Sequence, residues 1–137
     1  MAIYFLICAS EDHVRKGVAK GFAQAGHGRK DPMSRPAKGD WLVFYSSKDK
    51  MEGGEPLQEF TALGTVMDEE PFQPDTKSDF KPYRRKVRFL KTNNAPIKPL
   101  LDKLDFIKNK KRWGFYLMSG FRKIEKKDFD QIKKAMK

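Results

Sequence analysis

The chain begins Ile3-Tyr4-Phe5-Leu6-Ile7-Cys8-Ala9, turns at once into Ser10-Glu11-Asp12-His13-Val14, and then runs through Gly21-Phe22-Ala23-Gln24. The first stretch is short, apolar and free of turn residues, which predicts a buried strand over 3–9. Ser10 stands where a helix N-cap belongs, its oxygen placed to accept from a free N–H, with Glu11 and Asp12 favouring the positive end of the helix dipole. Val14 and Val18 share one helical face, and Gly21 is a plausible stop. A helix start, an aromatic ring and a side-chain amide are thus brought to the end of one strand. Such a place suits a small, flat, polar ligand.

Outward from there, residues 25–40 read as a loop rich in Gly, Pro and basic groups, and Trp41-Leu42-Val43-Phe44-Tyr45-Ser46 as a strong strand. A loop follows over 47–56, a strand over 57–67 and an acidic, Pro-punctuated loop over 68–81. Residues 83–90 alternate, with Val87 and Phe89 on one face and Arg84, Lys86 and Arg88 on the other, as in a strand with a basic face. Ile97, Leu100, Leu101, Leu104 and Ile107 form a short helical stripe. Trp113 to Met118 reads as loop into strand, and a last helix spans about 126–136 with Phe129, Ile132 and Met136 inward. The order β-α-β-β-β-α-β-α predicts a mixed α/β fold of the α+β type. Its sheet is mainly antiparallel and able to curl into an open barrel flanked by helices.

The chain has 137 residues, which predicts a single domain over 1–137. Its 11 Phe, 4 Tyr and 2 Trp supply a real core and exclude a disordered chain. No apolar run approaches the ~20 residues that span a bilayer, and the apolar N-terminal segment lacks the basic region of a signal peptide. The expected place is the cytoplasm. One cysteine excludes an internal disulfide and any Cys-rich metal site. With 29 Lys and Arg against 18 Asp and Glu, the formal net charge is +11. The excess is regional: Phe80 to Lys91 carries six Lys and Arg and no acid, and Lys108 to Arg112 carries four basic residues in five. A potential of that sign attracts polyanions, nucleic acid first, although lysine-rich faces also serve solubility alone.

The motifs of enzymes are missing. There is no P-loop, no Gly-x-Gly-x-x-Gly turn, no Gly-x-Ser-x-Gly elbow and no His-Glu-x-x-His helix. Cys8 lies within an apolar strand, where it reads as a small hydrophobe rather than a nucleophile. His13 and His27 are too few for a metal site with scattered acids. No catalytic residue, metal or cofactor is expected. The aromatic and basic residues say more. Trp113 follows Lys110-Lys111-Arg112, and a ring beside a basic run suits stacking on a base while cations hold phosphates. Arg84 and Arg85 suit phosphate or base contact, and a solvated basic face is the alternative. Gln24 offers both donor and acceptor, so it can read a base edge or satisfy loop backbone.

At these residues the chain resembles an EVE-domain protein of the PUA-like superfold. The resemblance rests on an ordered set: Ala9 to Val14, Gly17-Val18, Gly21 to Gln24, His27-Gly28, Gly39-Asp40-Trp41, Tyr45-Ser46 and Leu57 to Gly64. It continues through Phe80, Pro82-Tyr83-Arg84-Arg85, Pro99-Leu100-Leu101, Trp113-Gly114 and Asp128-Phe129. It implies a curled barrel flanked by helices, similar to the YTH domain that encloses methylated adenosine in an aromatic cage. By that likeness a base is held, flipped, by Ser10, Phe22, Ala23, Gln24, Tyr45, Ser46 and Trp113. Phosphates are held by Arg84, Arg85, Lys86, Arg88, Lys110, Lys111 and Arg112. A buried methyl group adds roughly 1 kcal/mol to such a pocket. Phe22 and Tyr83 stand where cage tryptophans are expected, so methyladenosine specificity does not carry over. The implied function is a non-catalytic reader of a modified base in RNA or DNA. The alternatives are a small-molecule or nucleotide binder using the same pocket and an RNA- or nucleotide-processing enzyme.

Overall fold

A computed structural model describes residues 1–75 and 78–137; of the loop expected over 68–81, residues 76 and 77 lie outside the described residues. Seven strands form one sheet: β1 Tyr4–Cys8, β2 Phe22–Ala23, β3 Trp41–Lys48, β4 Pro56–Val66, β5 Arg85–Phe89, β6 Ala95–Pro96 and β7 Phe121–Ile124. The order is β2-β5-β4-β3-β1-β7, with β6 added against β4. Only β1 and β3 run parallel; every other pairing of these strands is antiparallel. The helix α1, Glu11–Lys20, makes the crossover between the parallel pair, as such a pair requires. Two further helices are α2, Lys30–Ser34, and α3, Lys126–Ala135. The sheet curls into a half-barrel flanked by helices, as expected.

Strand alternation divides the core in two. Leu6, Val43, Tyr45, Phe60 and Leu63 face Leu104, Ile107, Phe129 and Ile132. Phe5, Ile7, Leu42, Phe44 and Val87 face Val14, Ala25 and Met33. Neighbours in a strand point to opposite faces, so β1, β3 and β4 feed both clusters.

Several elements differ from the expectation. Phe22 and Ala23, to which the sequence pattern assigns no element, pair with Lys86 and Arg85 as β2. The stretch 25–40 contains a 3₁₀ turn at Gly26–Gly28 and the helix α2. The stripe after Ile97 is a 3₁₀ helix at Lys98–Lys103, and Trp113 lies within another at Lys110–Leu117. Gly21 does end α1, at φ 77°. Ser10 occupies the N-cap position, but its hydroxyl donates to Asp12 Oδ1 rather than accepting from the helix. Asp12 Oδ1 accepts from His13 N instead.

Arg85 is fully buried. Its Nε donates to Asp68 Oδ1 at 2.7 Å, Nη2 to the Asp68 carbonyl at 2.8 Å, and Nη1 to the carbonyls of Met33, at 2.9 Å, and Pro36. Asp68 Oδ2 also accepts from Lys86 N. One guanidinium therefore ties β5 to α2 and to the turn after β4. The expected phosphate contact of Arg85 is corrected on this ground: its donors are engaged inside the protein, out of reach of solvent. Removing one partner of a buried pair strands the other charge at about 3–5 kcal/mol. Arg85→Met is expected to lose stability on that scale in urea denaturation, and Arg85→Lys to recover only part, because an ammonium cannot span the fork. An Arg85→Met protein as stable as the parent would contradict the assignment.

Candidate nucleic-acid interface

A cavity of about 880 Å³ opens on the face of the sheet that α1 and the 26–28 turn cover. The ends of β1 and β3 contribute Cys8, Phe44 and Lys48, and α1 contributes His13, Lys16 and Gly17. β2 and its continuation add Phe22, Ala23 and Gln24. Two glycines draw its walls together. A Cβ on Gly17 would lie 2.5 Å from the Phe22 carbonyl, so α1 can press onto β2 only with glycine there. Gly28 sits at φ +81° with Pro82 Cβ 2.5 Å from where its own Cβ would be. Between them, His27 holds a left-handed φ of 59°, uncommon outside glycine and often found at functional sites.

The centre of one wall is an assembly of three side chains. The Arg84 guanidinium carbon lies 3.8 Å from the Phe22 ring centroid, and Arg84 Nε donates to Gln24 Oε1 at 2.9 Å. Burial pulls the Arg84 pKa below its usual value, while the group remains charged at any physiological pH. Among the described residues, the Lys and Arg on the lining are Lys16, Arg29, Lys48, Lys50 and Arg84, and no Asp or Glu is on it. The cavity is therefore positive and short of anionic acceptors.

The expected site residues divide. Ser10, Phe22, Ala23 and Gln24 line the cavity, and Arg84 joins them. Tyr45 and Ser46 do not. Tyr45 is buried on the opposite face, its ring 5.5 Å from that of Phe60, and Phe44 next to it takes the cavity position. Ser46 is fully buried and shares a 2.9 Å hydrogen bond with Thr61 Oγ1. Trp113 packs against the core cluster that contains Tyr45, so the predicted stacking ring stands away from this cavity. Lys110, Lys111 and Arg112 are not on its lining. Lys86 and Arg88 are exposed on β5, the strand that pairs with β2. The cationic rim from Lys16, Arg29, Lys48 and Lys50 was missed, because these residues are scattered in sequence and meet only in the fold.

A second hollow, of about 1090 Å³, lies between residues 1–4, β7 and Phe106. It mixes Asp105, Glu125 and Asp128 with Lys108, Arg122, Lys123 and Lys126, so it lacks the single sign of the first. Among the described residues no group of three or more His, Cys, Asp or Glu is placed to hold a metal ion. No helix among them is long and apolar enough to cross a membrane.

Burial raises the Cys8 thiol to about 12, with Arg122 opposing the shift. At that value the thiol is protonated at neutral pH. Its reaction with iodoacetamide at pH 8 is expected to be at least about a hundredfold slower than that of free cysteine. The rate should climb as pH rises toward 12; fast alkylation at pH 8 would refute the buried setting.

The EVE-domain family model matches residues 3–135. A UPF0310 protein of Mycolicibacterium gilvum is 48% identical over 127 residues, covering 93% of this chain and 90% of its own. Another, of Mycobacterium avium, is 49% identical over 127 residues, covering 93% and 92%. Among solved structures, Rpa0253 of Rhodopseudomonas palustris superposes with a TM-score of 0.62 at 17% identity, covering 98% of this chain and 93% of its own. The YTH-domain protein mmi1, solved with RNA, gives 0.56 at 8% identity, covering 97% and 78%. Human THYN1, solved with 5-methylcytosine-containing DNA, gives 0.55 at 12% identity, covering 94% of both. At these identities the structures establish a shared PUA-like fold, and the match along the whole chain is decisive for the family: this protein is a member of the EVE-domain family.

Proposed function

We propose that this chain is a non-catalytic nucleic-acid-binding module that acts as one domain and holds a modified base, flipped out of its strand, in the cavity beside Phe22. The observation that carries this reading is the cavity itself: about 880 Å³, walled in part by an aromatic ring and lined, among the described residues, by five Lys and Arg with no carboxylate. A flipped base needs an apolar face to lie against and a few fixed polar groups at its edge. Phe22 and Ala23 offer the first, and Ser10 and Gln24 belong to the second. The two neighbours solved with RNA and with methylated DNA support a polyanionic ligand for this fold. Lys86 and Arg88 on β5, with the cations at the cavity rim, are assigned the phosphates. Lys110, Lys111 and Arg112 extend the positive field without touching the base. A free nucleotide is the second reading, since the same lining suits a single phosphate.

Titration of short strands, plain and base-modified, at two salt concentrations tests this. Affinity is expected to fall with salt, with a modification-dependent gain that survives at the higher concentration. The Lys86→Ala, Arg88→Ala double variant should weaken plain and modified strands equally and lower the salt slope by about 1.5 for single strands. Gln24→Ala should reduce the preference for the modified strand. A free nucleotide binding as tightly as a strand would favour the second reading. Equal losses on both strands for both variants would remove the division of roles.

A further inference from the structure

The wall built by Arg84, Phe22 and Gln24 has a definite hydrogen-bond polarity. Arg84 Nε–H is engaged by Gln24 Oε1, and among the described residues no hydrogen bond engages the two terminal nitrogens. The same bond occupies the Gln24 carbonyl oxygen, so its NH2 group is left as a donor. The ring of Phe22 under the guanidinium and the bond at Nε together hold the fork. Donors therefore converge here, and among the described residues the lining holds no carboxylate to balance them. Gln24 alone, read from sequence, offers both polarities; paired with Arg84 it offers one.

A guanidinium fork seeks two neighbouring acceptors. Guanine has such a pair in O6 and N7, and cytosine has one in O2 and N3. Adenine places its N6 amino group beside both N1 and N7. Turned to this wall, that amino group would meet donors, and the buried groups on both sides would lack partners. We propose that Arg84 is the specificity-determining residue of the cavity. It selects a base edge with two adjacent acceptors and rejects the amino-flanked edge of adenine. Gln24 is a positioning residue that orients the fork. This inference rests on the reading that a base enters the cavity, and it moves Arg84 from the phosphates to the base.

The test uses short DNA strands of abasic linkers carrying one central nucleotide: guanine, 7-deazaguanine, 5-methylcytosine, N6-methyladenine or none. Binding of the full chain is followed by fluorescence anisotropy. Guanine and 5-methylcytosine are expected to bind at least about tenfold tighter than N6-methyladenine, the scale of one good bidentate contact. Replacing N7 by carbon in 7-deazaguanine should erase most of the guanine gain on the unaltered protein. Arg84→Met, which keeps a long side chain over Phe22, should flatten the ranking, and Arg84→Lys should restore little of it. If all bases exceed the abasic strand equally, or N6-methyladenine leads, the inference falls while a base-binding cavity stands. If the abasic strand binds as well as every other, the cavity does not take a base and both readings fall.

Discussion

The buried guanidinium of Arg85 is the constraint on which the ligand face depends. A cation withdrawn from water is tolerated only when its donors are filled. Here Asp68 and the carbonyls of Met33, Pro36 and Asp68 fill them, so α2 and the turn after β4 are drawn onto β5. Neighbours in extended backbone point to opposite sides. With Arg85 committed inward, Arg84 is delivered to the other side, over Phe22 and onto the cavity wall. Two adjacent arginines that look equivalent in sequence thus have different tasks, one in the scaffold and one at the ligand.

The scaffold around them follows the same economy of space. The parallel β1–β3 pair requires a crossover, and α1 supplies it directly above the strand ends that border the cavity. Glycine at 17 lets the helix approach β2 to contact distance. The cavity is then what remains between a helix, a two-residue strand and the Gly26–Gly28 turn. Its positive lining is assembled from four separate segments, of which only the one around Arg84 is a basic run in the sequence.

Much of the fold was legible in sequence. β1 is an unbroken apolar run, α1 is marked by its acidic first turn and its closing Gly21, β3 and β4 are long, and α3 has a clear apolar stripe. β2 was not legible, because two residues carry no period and their pairing partner lies more than sixty positions away. The 3₁₀ segments at 98–103 and 110–117 share an i, i+3 stripe with α-helix, or lack one, so they were read as helix and as loop. At the site, the end of β1, Phe22 and Gln24 were found from the order of motifs. Nothing in the sequence separates Phe44 from Tyr45 at the site, because alternation says that neighbours face apart without saying which face holds the cavity. Trp113 was chosen for its basic neighbours, but its ring joins the core of the opposite face. The Arg84–Gln24 bond spans sixty residues and has no sequence signal.

The most direct test of the account is amide-shift mapping by NMR during titration with a short strand carrying one modified base. The largest shifts are expected to cluster at residues 8–10, 22–28 and 84, around the cavity. Shifts confined to 108–112 and 122–126, beside the second hollow, would contradict it.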